Sequence, residues 1–430
     1  MSESPTDTAE FAAFGVNLIG HVSGDFGLAA AARNTIKNLP DMAIDVTVLD
    51  VSVGARSGLD DTFAHLIAPP GSPLPWGVNL FHMNPPGIKR LLESKPSGLR
   101  IRDRLNVCVP FWELPSLPLL AEWRSTLGAM DMILCPSAFI EDAIRASGID
   151  TPLRRYPQRV WIPHDIRSDR ARWNLPPEPL ICLVTFDVGS GLERKNPLAA
   201  IEAFRLAFGD REDVLLVVKV SGPTNEPQFA DDVERLRRTV TGRRNIRLIE
   251  ATFSHREVLE LYAACDILIS LHRSEGLGLH LMEAMALEKP VVATGWSGNV
   301  DYMRADDSIS VDYKLVPVRS AHFDYRPEAI GVDQYWAEPD IEMAGRALAL
   351  LVSDRGLRSR LAHNASRAMD ALQTESPASL ASGLRQAWEE TDWSDRSHVS
   401  SQFRRLSRPA PWTLLRRTVG SALRTVGLRH

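Results

Sequence analysis

Short apolar runs recur along the chain, and each leads into a polar or glycine-containing turn and then into a helical pattern. Because the runs are short and rich in β-branched residues, they predict buried strands. Strands that alternate with helices are typical of a parallel sheet in an α/β protein. The predicted strands are 14–19, 43–49, 78–81, 105–109, 132–135 and 160–163, then 180–186, 214–220, 246–249, 267–270 and 291–294.

The polar, proline-bearing segment 164–179 separates two such series and predicts an interdomain linker. The length of 430 residues also favours two domains, because single cores rarely grow past about 250 to 300 residues. We expect two Rossmann-like, doubly wound domains at 13–172 and 173–387, the end of a crossover helix at 388–395, and a basic tail at 396–430.

Composition indicates a globular protein, with 44% hydrophobic and 24% charged residues and a net charge of −5. The four cysteines lie in or beside apolar runs without paired spacing, which favours core thiols in a reducing compartment. The first twelve residues lack an apolar signal region, and no run of about 18 apolar residues is present. We therefore expect a cytoplasmic protein, and we expect no nucleic-acid partner.

One stretch, 274–283, combines a glycine loop with the start of a helix. It follows the predicted strand 267–270, and the helical pattern runs from Leu277 to Lys289-Pro290. Such a helix begins with unpaired amides that suit a phosphate. We expect the contacts with the phosphate-bearing ligand to come from Gly276, Leu277, Gly278 and Leu279.

Two acids flank this loop, Glu275 at its mouth and Glu283 two turns inside the helix. A carboxylate repels a phosphate, so the pair makes chemical sense if each acid accepts a hydrogen bond from a neutral hydroxyl. One acid would then bind a hydroxyl of the sugar, and the other would bind a hydroxyl of the ribose. The alternative is an ordinary amphipathic helix with two surface acids.

The stretch resembles the donor-binding motif of the retaining family 4 glycosyltransferases of GT-B fold, in which two glutamates lie eight residues apart. Further motifs of that family follow the same order along residues 14–390. They are Gly24-Asp25-Phe26-Gly27, Pro136-Ser137-Ala138-Phe139, Ile162-Pro163-His164-Asp165, Glu193-Arg194-Lys195-Asn196-Pro197 and Gly298-Asn299.

The resemblance implies two Rossmann-like domains that face each other across a cleft. It also implies an enzyme that transfers a hexose from a nucleotide sugar donor, with retention of configuration, in polysaccharide or glycolipid biosynthesis. GDP-mannose is the first expected donor, and UDP-glucose and dTDP-rhamnose remain open. A glycan or a lipid-linked oligosaccharide is the expected acceptor.

Arg194 and Lys195 are adjacent cations beside glycines, just before a predicted helix at 198–208. Together they would neutralise a diphosphate, although a solvated charged loop is the alternative. The resemblance assigns Lys195 to the diphosphate with Arg194 near it, but many relatives carry an arginine where this chain has Gly189. Since no Asp-x-Asp occurs, we expect neither a metal nor another cofactor.

Ligands in parallel sheets bind beyond the carboxyl ends of the strands. Gly24 would let a substrate or the facing domain approach the backbone closely, and we expect it to contact the ligand. The strand-end rule selects His82 and Glu113 in the first domain, where the resemblance places the acceptor contacts and the border of the reaction centre. It also selects Lys219 in the second, where relatives place nucleotide contacts. The alternatives are a tight strand-to-helix turn at Gly24 and a satisfied loop histidine at His82.

Helical patterns cover 341–351, 355–372 and 380–391, and we expect 388–393 to cross back onto the first domain. Residues 396–408 read as loose. In 412–428, apolar residues share one helical face with arginines opposite, which predicts contact with an anionic membrane surface. Docking on the protein itself and disorder are the alternatives.

We therefore expect a retaining hexosyltransferase in the cytoplasm, peripheral on the inner face of the membrane if the tail binds there. A nucleotide-sugar epimerase or hydrolase of the same fold is one alternative. A non-catalytic sugar-binding protein is the other.

Overall fold

The computed structural model describes residues 12–408, except 53–59, 223, 225, 332 and 395. It contains two six-stranded sheets, and within each sheet all neighbouring strands are parallel. The first sheet has the order β2-β1-β3-β4-β5-β6. Its strands are β1 Val16–Gly20, β2 Val46–Asp50, β3 Val78–His82, β4 Leu105–Cys108, β5 Met132–Cys135 and β6 Leu153–Arg155.

The second sheet has the order β12-β11-β10-β7-β8-β9, and a two-stranded antiparallel hairpin of β13 and β14 follows it in the chain. Its strands and those of the hairpin are β7 Leu180–Asp187, β8 Val214–Ser221, β9 Ile246–Glu250, β10 Ile267–Ser270, β11 Val291–Thr294, β12 Ile309–Val311, β13 Tyr313–Pro317 and β14 Tyr335–Pro339.

Helices connect the strands and cover the sheets, as the alternating pattern predicts. They are α1 Gly27–Asp41, α2 Pro85–Ser94, α3 Ala121–Leu127, α4 Ala138–Ala146, α5 Leu192–Lys195, α6 Pro197–Phe208, α7 Ala230–Val240, α8 His255–Ala264, α9 Leu279–Ala286, α10 Pro327–Ile330, α11 Ile341–Ser353, α12 Arg355–Glu390 and α13 Ser397–Leu406. The central strands β1, β3, β4, β10 and β11 are buried along their whole length. Burial on both faces explains why these strands read as continuous apolar runs.

The predicted strand at 160–163 is wrong, and the last strand of the first sheet is β6 instead. The backbone of this segment bonds to helix side chains. The Trp161 amide donates to the Asn34 side chain, and the Val160 carbonyl accepts from Gln373. These bonds satisfy the backbone without a neighbouring strand.

The two helices predicted at 355–372 and 380–391 are one helix, α12, with Pro377 inside it. Its first half packs on the second domain, where Leu361 joins the core. Its second half packs on the first domain. There Asn38 donates to Ser376, Ser379 donates to the Arg155 carbonyl, and Trp388 packs on Phe14 with ring centroids 6.0 Å apart.

Residues 396–408 are not loose, because most of them form α13. Phe403 and Leu406 are buried, and the Arg396 side chain donates to the Arg102 and Arg104 carbonyls. The predicted membrane segment 412–428 lies outside the described residues. In the described part of the chain, no helix combines the length and apolar character needed to cross a membrane.

Candidate active site

The order of the second sheet reverses between β7 and β10, which are hydrogen-bonded neighbours. In open α/β sheets the crevice outside the carboxyl ends of the strands at such a point is where ligands bind. The chain leaves β7 into the segment that carries Arg194 and Lys195, and it leaves β10 into the loop that carries Glu275. Topology alone therefore places these residues at one edge of the sheet.

The three side chains are in direct contact. Lys195 Nζ lies 2.5 Å from Glu275 Oε1, and a guanidinium nitrogen of Arg194 lies 3.4 Å from Glu275 Oε2. The one-turn helix α5 is preceded by Gly191, with φ +86°, and followed by Asn196, which is left-handed with φ +48°. These two turns bring both consecutive cations to the glutamate.

The charge of Glu275 is fixed by its neighbours. Burial alone would raise the pKa of this carboxyl, but Lys195 and Arg194 together hold it far below its ordinary value. Glu275 is therefore ionised at neutral pH. It can accept hydrogen bonds and cannot act as a proton donor.

Glu113 reaches this cluster from the first domain, as the rule of strand ends predicted. Its Oε1 lies 3.9 Å from Arg194, and its Oε2 accepts a hydrogen bond of 3.1 Å from the Tyr325 hydroxyl. Its backbone carbonyl accepts from the Ser274 hydroxyl. Two cations and two carboxylates from both sides of the cleft thus form one network.

The glycine loop is held tightly between the domains. A Cβ at Gly276 would lie 2.8 Å from the Trp112 carbonyl oxygen, so only glycine fits. Ser137 donates to the Gly276 carbonyl at 2.5 Å, and Tyr302 donates to the carbonyls of Leu277 and Gly278.

Helix α9 begins two residues later than predicted. Gly278 has φ +87° and stands as the residue before the helix, so Leu279 is the first helical residue. The Leu277 side chain is buried in the core, which leaves only its backbone for the predicted ligand contact.

Glu283 is buried, and its Oε1 lies 2.7 Å from His255 Nε2. His255 was missed by sequence reasoning. A usable signal was present, because Ser254 and Glu257 form a capping box that fixes the start of α8 and so places His255 at its first position.

A cavity of about 430 Å³ opens between the domains next to this pair. His255 lines the cavity and links it to Glu283. The other lining residues come from the first domain, the linker and α8, and are Asp60, Thr62, Trp161, Pro163, His164, Asp165, Arg256 and Leu259.

His82 does not join the network. It is fully buried within the first domain, where Nε2 lies 3.0 Å from the Thr35 hydroxyl and 3.2 Å from the Gln158 amide. Burial lowers the pKa of His82 to about 3. This placement corrects the prediction that His82 borders the reaction centre. The residue is the last of β3, and its side chain turns into the core rather than out of the sheet edge.

Gly24 and Lys219 lie at the predicted sheet edges. Gly24 is buried, and its carbonyl accepts a hydrogen bond of 2.7 Å from Arg33. Lys219 is also buried, with its ammonium 5.1 Å from the centre of the Phe253 ring. Their contacts with a ligand stay predictions.

Behind Glu275 runs a chain of hydrogen bonds that sequence reasoning missed as a unit. His280 Nε2 lies 3.1 Å from Ser270 Oγ, and Ser270 Oγ lies 3.0 Å from His272 Nδ1. His272 Nε2 lies 3.1 Å from Asn299 Oδ1. The residues come from β10 and the loop after it, from α9 and from the loop after β11, so nothing in their spacing along the chain shows that they meet.

The described residues contain no cluster of three or more His, Cys, Asp or Glu side chains arranged to hold a metal ion. Whether the protein works without a metal stays a prediction. The positive groups that the site does contain are Arg194 and Lys195.

Residues 165–368 match the family model described as glycosyl transferases group 1. The matched segment makes up most of the second domain. It contains Arg194, Lys195, Glu275 and Glu283, and with the first domain it forms a GT-B fold. No curated protein matches the chain in sequence.

Solved structures support the same fold. A sucrose-phosphate synthase from Thermosynechococcus elongatus is 15% identical with a TM-score of 0.61, over 88% of this chain and all of that one. Anabaena HepE, solved with UDP, is 12% identical with a TM-score of 0.60 over the same shares. TarM of S. aureus is 12% identical with a TM-score of 0.50, over 72% of this chain, which spans about half the length of TarM. At such identities the likeness concerns the fold alone.

Proposed function

We propose that the protein transfers a hexose from a nucleotide diphosphate sugar to a hydroxyl of a glycan or lipid-linked glycan, with retention of configuration. The contact of Lys195 and Arg194 with Glu275 carries this proposal. It combines an anion-binding pair with a hydroxyl-binding carboxylate at the switch point of a group 1 domain.

The donor diphosphate binds Lys195 and Arg194 together with the backbone amides at the start of α9. These groups supply the positive field, so the proposal requires no metal. Glu275 accepts a hydrogen bond from a hydroxyl of the sugar, because it is ionised and cannot donate. Glu283, which pairs with His255 beside the cavity, accepts a hydrogen bond from a hydroxyl of the ribose.

The donor has to displace carboxylates from these cations. In the structure, Glu113 and Glu275 balance Arg194 and Lys195, and a diphosphate brings two negative charges of its own. We therefore expect Glu113 to leave Arg194 when the donor enters, since Glu113 belongs to the other domain. Closure of the domains over the donor then excludes the water that would hydrolyse it.

In the transfer step, the bond from the anomeric carbon to the diphosphate oxygen breaks as the acceptor oxygen attacks the same face. The diphosphate leaves with the bonding electron pair and takes the proton of the acceptor hydroxyl. Negative charge grows on the diphosphate, and Lys195 and Arg194 stabilise it. A trapped glycosyl adduct on the protein would overturn this single-step route.

GDP-mannose remains the first donor to test, with UDP-glucose beside it and dTDP-rhamnose third. Anabaena HepE was solved with UDP-glucose, which supports adding a UDP-sugar to the panel. A polysaccharide or glycolipid acceptor at the inner face of the cytoplasmic membrane fits the proposal.

The deciding experiment measures transfer of radiolabelled sugar from each donor to a membrane extract, with and without a chelator. Transfer that survives the chelator, and a product with the anomeric configuration of the donor by NMR, supports the proposal. Release of free sugar or of an isomerised nucleotide sugar without acceptor would instead show a hydrolase or epimerase. Binding of the donor without turnover would show a sugar-binding protein.

A further inference from the structure

Only one assignment of donors and acceptors satisfies every bond in the chain of His280, Ser270, His272 and Asn299. The Asn299 side-chain nitrogen donates to the Thr294 carbonyl at 2.9 Å, which can only accept. Asn299 Oδ1 therefore faces His272 Nε2, at 3.1 Å, and that nitrogen must carry a proton. The orientation of one amide thus fixes the tautomer of His272.

The tautomer of His272 in turn fixes which atoms donate at Ser270 and at His280. Burial lowers the pKa of His272, so its ring is neutral and Nδ1 is an acceptor. The Ser270 hydroxyl donates its single proton to that nitrogen. Ser270 Oγ can then only accept from His280, so His280 Nε2 carries a proton.

His280 is left with a bare nitrogen. Burial and the charge of Lys195 lower the pKa of His280 to about 3, so the ring is neutral and Nδ1 has a free lone pair. Among the described residues, Nδ1 has no hydrogen-bond partner, and it is not sealed from solvent. His280 itself is half-buried, in the first turn of α9.

The chemistry of this lone pair selects its ligand. A neutral acceptor binds a hydroxyl proton, whereas a phosphate oxygen, which carries no proton at neutral pH, is repelled by it. His280 is the second residue of α9, the helix whose starting amides we assign to the donor, and it belongs to the same stretch as Glu275. The lone pair therefore fits the sugar of the donor and does not fit its diphosphate.

We propose that His280 is a specificity-determining residue whose Nδ1 accepts a hydrogen bond from one hydroxyl of the transferred hexose. This inference rests on the proposed function, and it adds a second side chain, besides Glu275, that recognises a hydroxyl of the sugar. Ser270, His272 and Asn299 act as positioning residues, because they hold the imidazole in the tautomer that leaves Nδ1 free.

Two substitutions test the two imidazole nitrogens of His280 separately. In His280→Gln, the side-chain amide reaches Ser270 as Nε2 does, but no acceptor remains at the place of Nδ1. In His280→Asn, the shorter amide puts an acceptor at the place of Nδ1 and loses the bond to Ser270. The pair is matched, because both variants are polar, uncharged and similar in size.

Calorimetry compares each variant with the unsubstituted protein for UDP-glucose, GDP-mannose and dTDP-rhamnose, each against its own nucleoside diphosphate. His280→Gln should weaken binding of the preferred nucleotide sugar about tenfold and leave binding of the nucleoside diphosphate unchanged. His280→Asn should stay within about threefold of the unsubstituted protein. An equal loss for nucleotide sugar and nucleoside diphosphate would show a structural role and overturn the inference.

Monodeoxy forms of the preferred donor supply the second test. The unsubstituted protein should bind one of them about tenfold less tightly than the full sugar, and His280→Gln should no longer distinguish that pair. A long-range proton–nitrogen NMR spectrum should show His280 protonated on Nε2. A proton on Nδ1, or equal discrimination by His280→Gln, would sink the inference.

These outcomes separate the inference from the proposed function. Transfer with no effect of His280→Gln would keep the function and reject the inference. Selective binding without transfer would reject the function and keep the hydroxyl contact. A protein that binds none of the three nucleotide sugars would reject both.

Discussion

Glu113 of the first domain lies 3.9 Å from Arg194 of the second, so a carboxylate occupies the neighbourhood of a cation that we assign to the donor. The same carboxylate accepts from the Tyr325 hydroxyl, which lies on the segment between β13 and β14. Charged side chains of both domains thus meet at Arg194.

Substitution Glu113→Gln should tighten the binding of a nucleoside diphosphate. Glutamine keeps an acceptor for Tyr325 but removes the charge that competes with phosphate for Arg194. Because the pair is long, we expect a gain of about fivefold or less, measured by calorimetry with UDP and GDP. Glu202→Gln, at an exposed acid of α6, serves as the control and should change nothing. Weaker binding in Glu113→Gln would show that this acid supports the donor rather than competing with it.

Substitution Glu275→Gln should abolish transfer and also lower stability. The side chain is buried between Lys195 and Arg194, and its loss leaves the largely buried Lys195 without a carboxylate partner and Arg194 with only the long contact to Glu113. Breaking such a pair destabilises a protein by about 3 kcal/mol. A nucleoside diphosphate should raise the melting temperature of this variant more than that of the unsubstituted protein, because it replaces the missing charge. Full transfer activity in Glu275→Gln would contradict its proposed role.

Substitution Gly276→Ala should impair domain closure. The added Cβ meets the Trp112 carbonyl, and two backbones cannot both give way without moving the domains apart. We expect transfer to fall by at least about tenfold, while UDP binding to the second domain changes little. Gly383→Ala in α12 is the matched control, because nothing lies within 4 Å of its Cβ. That control should be neutral or slightly stabilising, since alanine favours a helix. Equal effects at both positions would refute the closure argument.

Asp324 makes stability depend on pH. Burial and the charge of Glu113 raise the pKa of Asp324 to about 6, against the pull of Arg194. Since the folded pKa exceeds the unfolded value, this group stabilises the fold below about pH 4, and the contribution disappears as pH rises through 6. Asp324→Asn should therefore be more stable than the unsubstituted protein at pH 7.5 and equal or less stable at pH 4. The side chain is half-exposed, so we expect about 1 kcal/mol or less in urea unfolding. A stabilisation that is the same at both pH values would rule out titration of Asp324.

The fold was largely predictable because its strands are buried on both faces and leave unbroken apolar runs in the sequence. The prediction failed where a tertiary contact decides the structure. The segment 160–163 is apolar, yet its backbone is satisfied by Asn34 and Gln373, which lie far away in sequence. The helical patterns at 355–372 and 380–391 were predicted separately, but α12 spans both and continues through Pro377.

The candidate site was likewise predictable where local motifs decide it and unpredictable where tertiary contacts do. Lys195 and Glu275 were found because each belongs to a local motif at a strand end, and Glu113 was found by the same rule. His82 obeyed the rule and still turned into the core, since a strand end fixes the place of a residue but not the direction of its side chain. The role inferred for His280 depends on its contact with Ser270, which lies ten residues earlier on another element, so the sequence alone did not indicate it.

Helix α12 has a mechanical consequence for the cleft. Its 36 residues form a rod of about 54 Å that is fixed to one domain at its start and to the other at its end. Pro377 lacks the amide proton for one bond of the helix, so the rod is weakest there, one residue from the Ser376 contact with Asn38. A relative movement of the two domains should therefore bend α12 at Pro377.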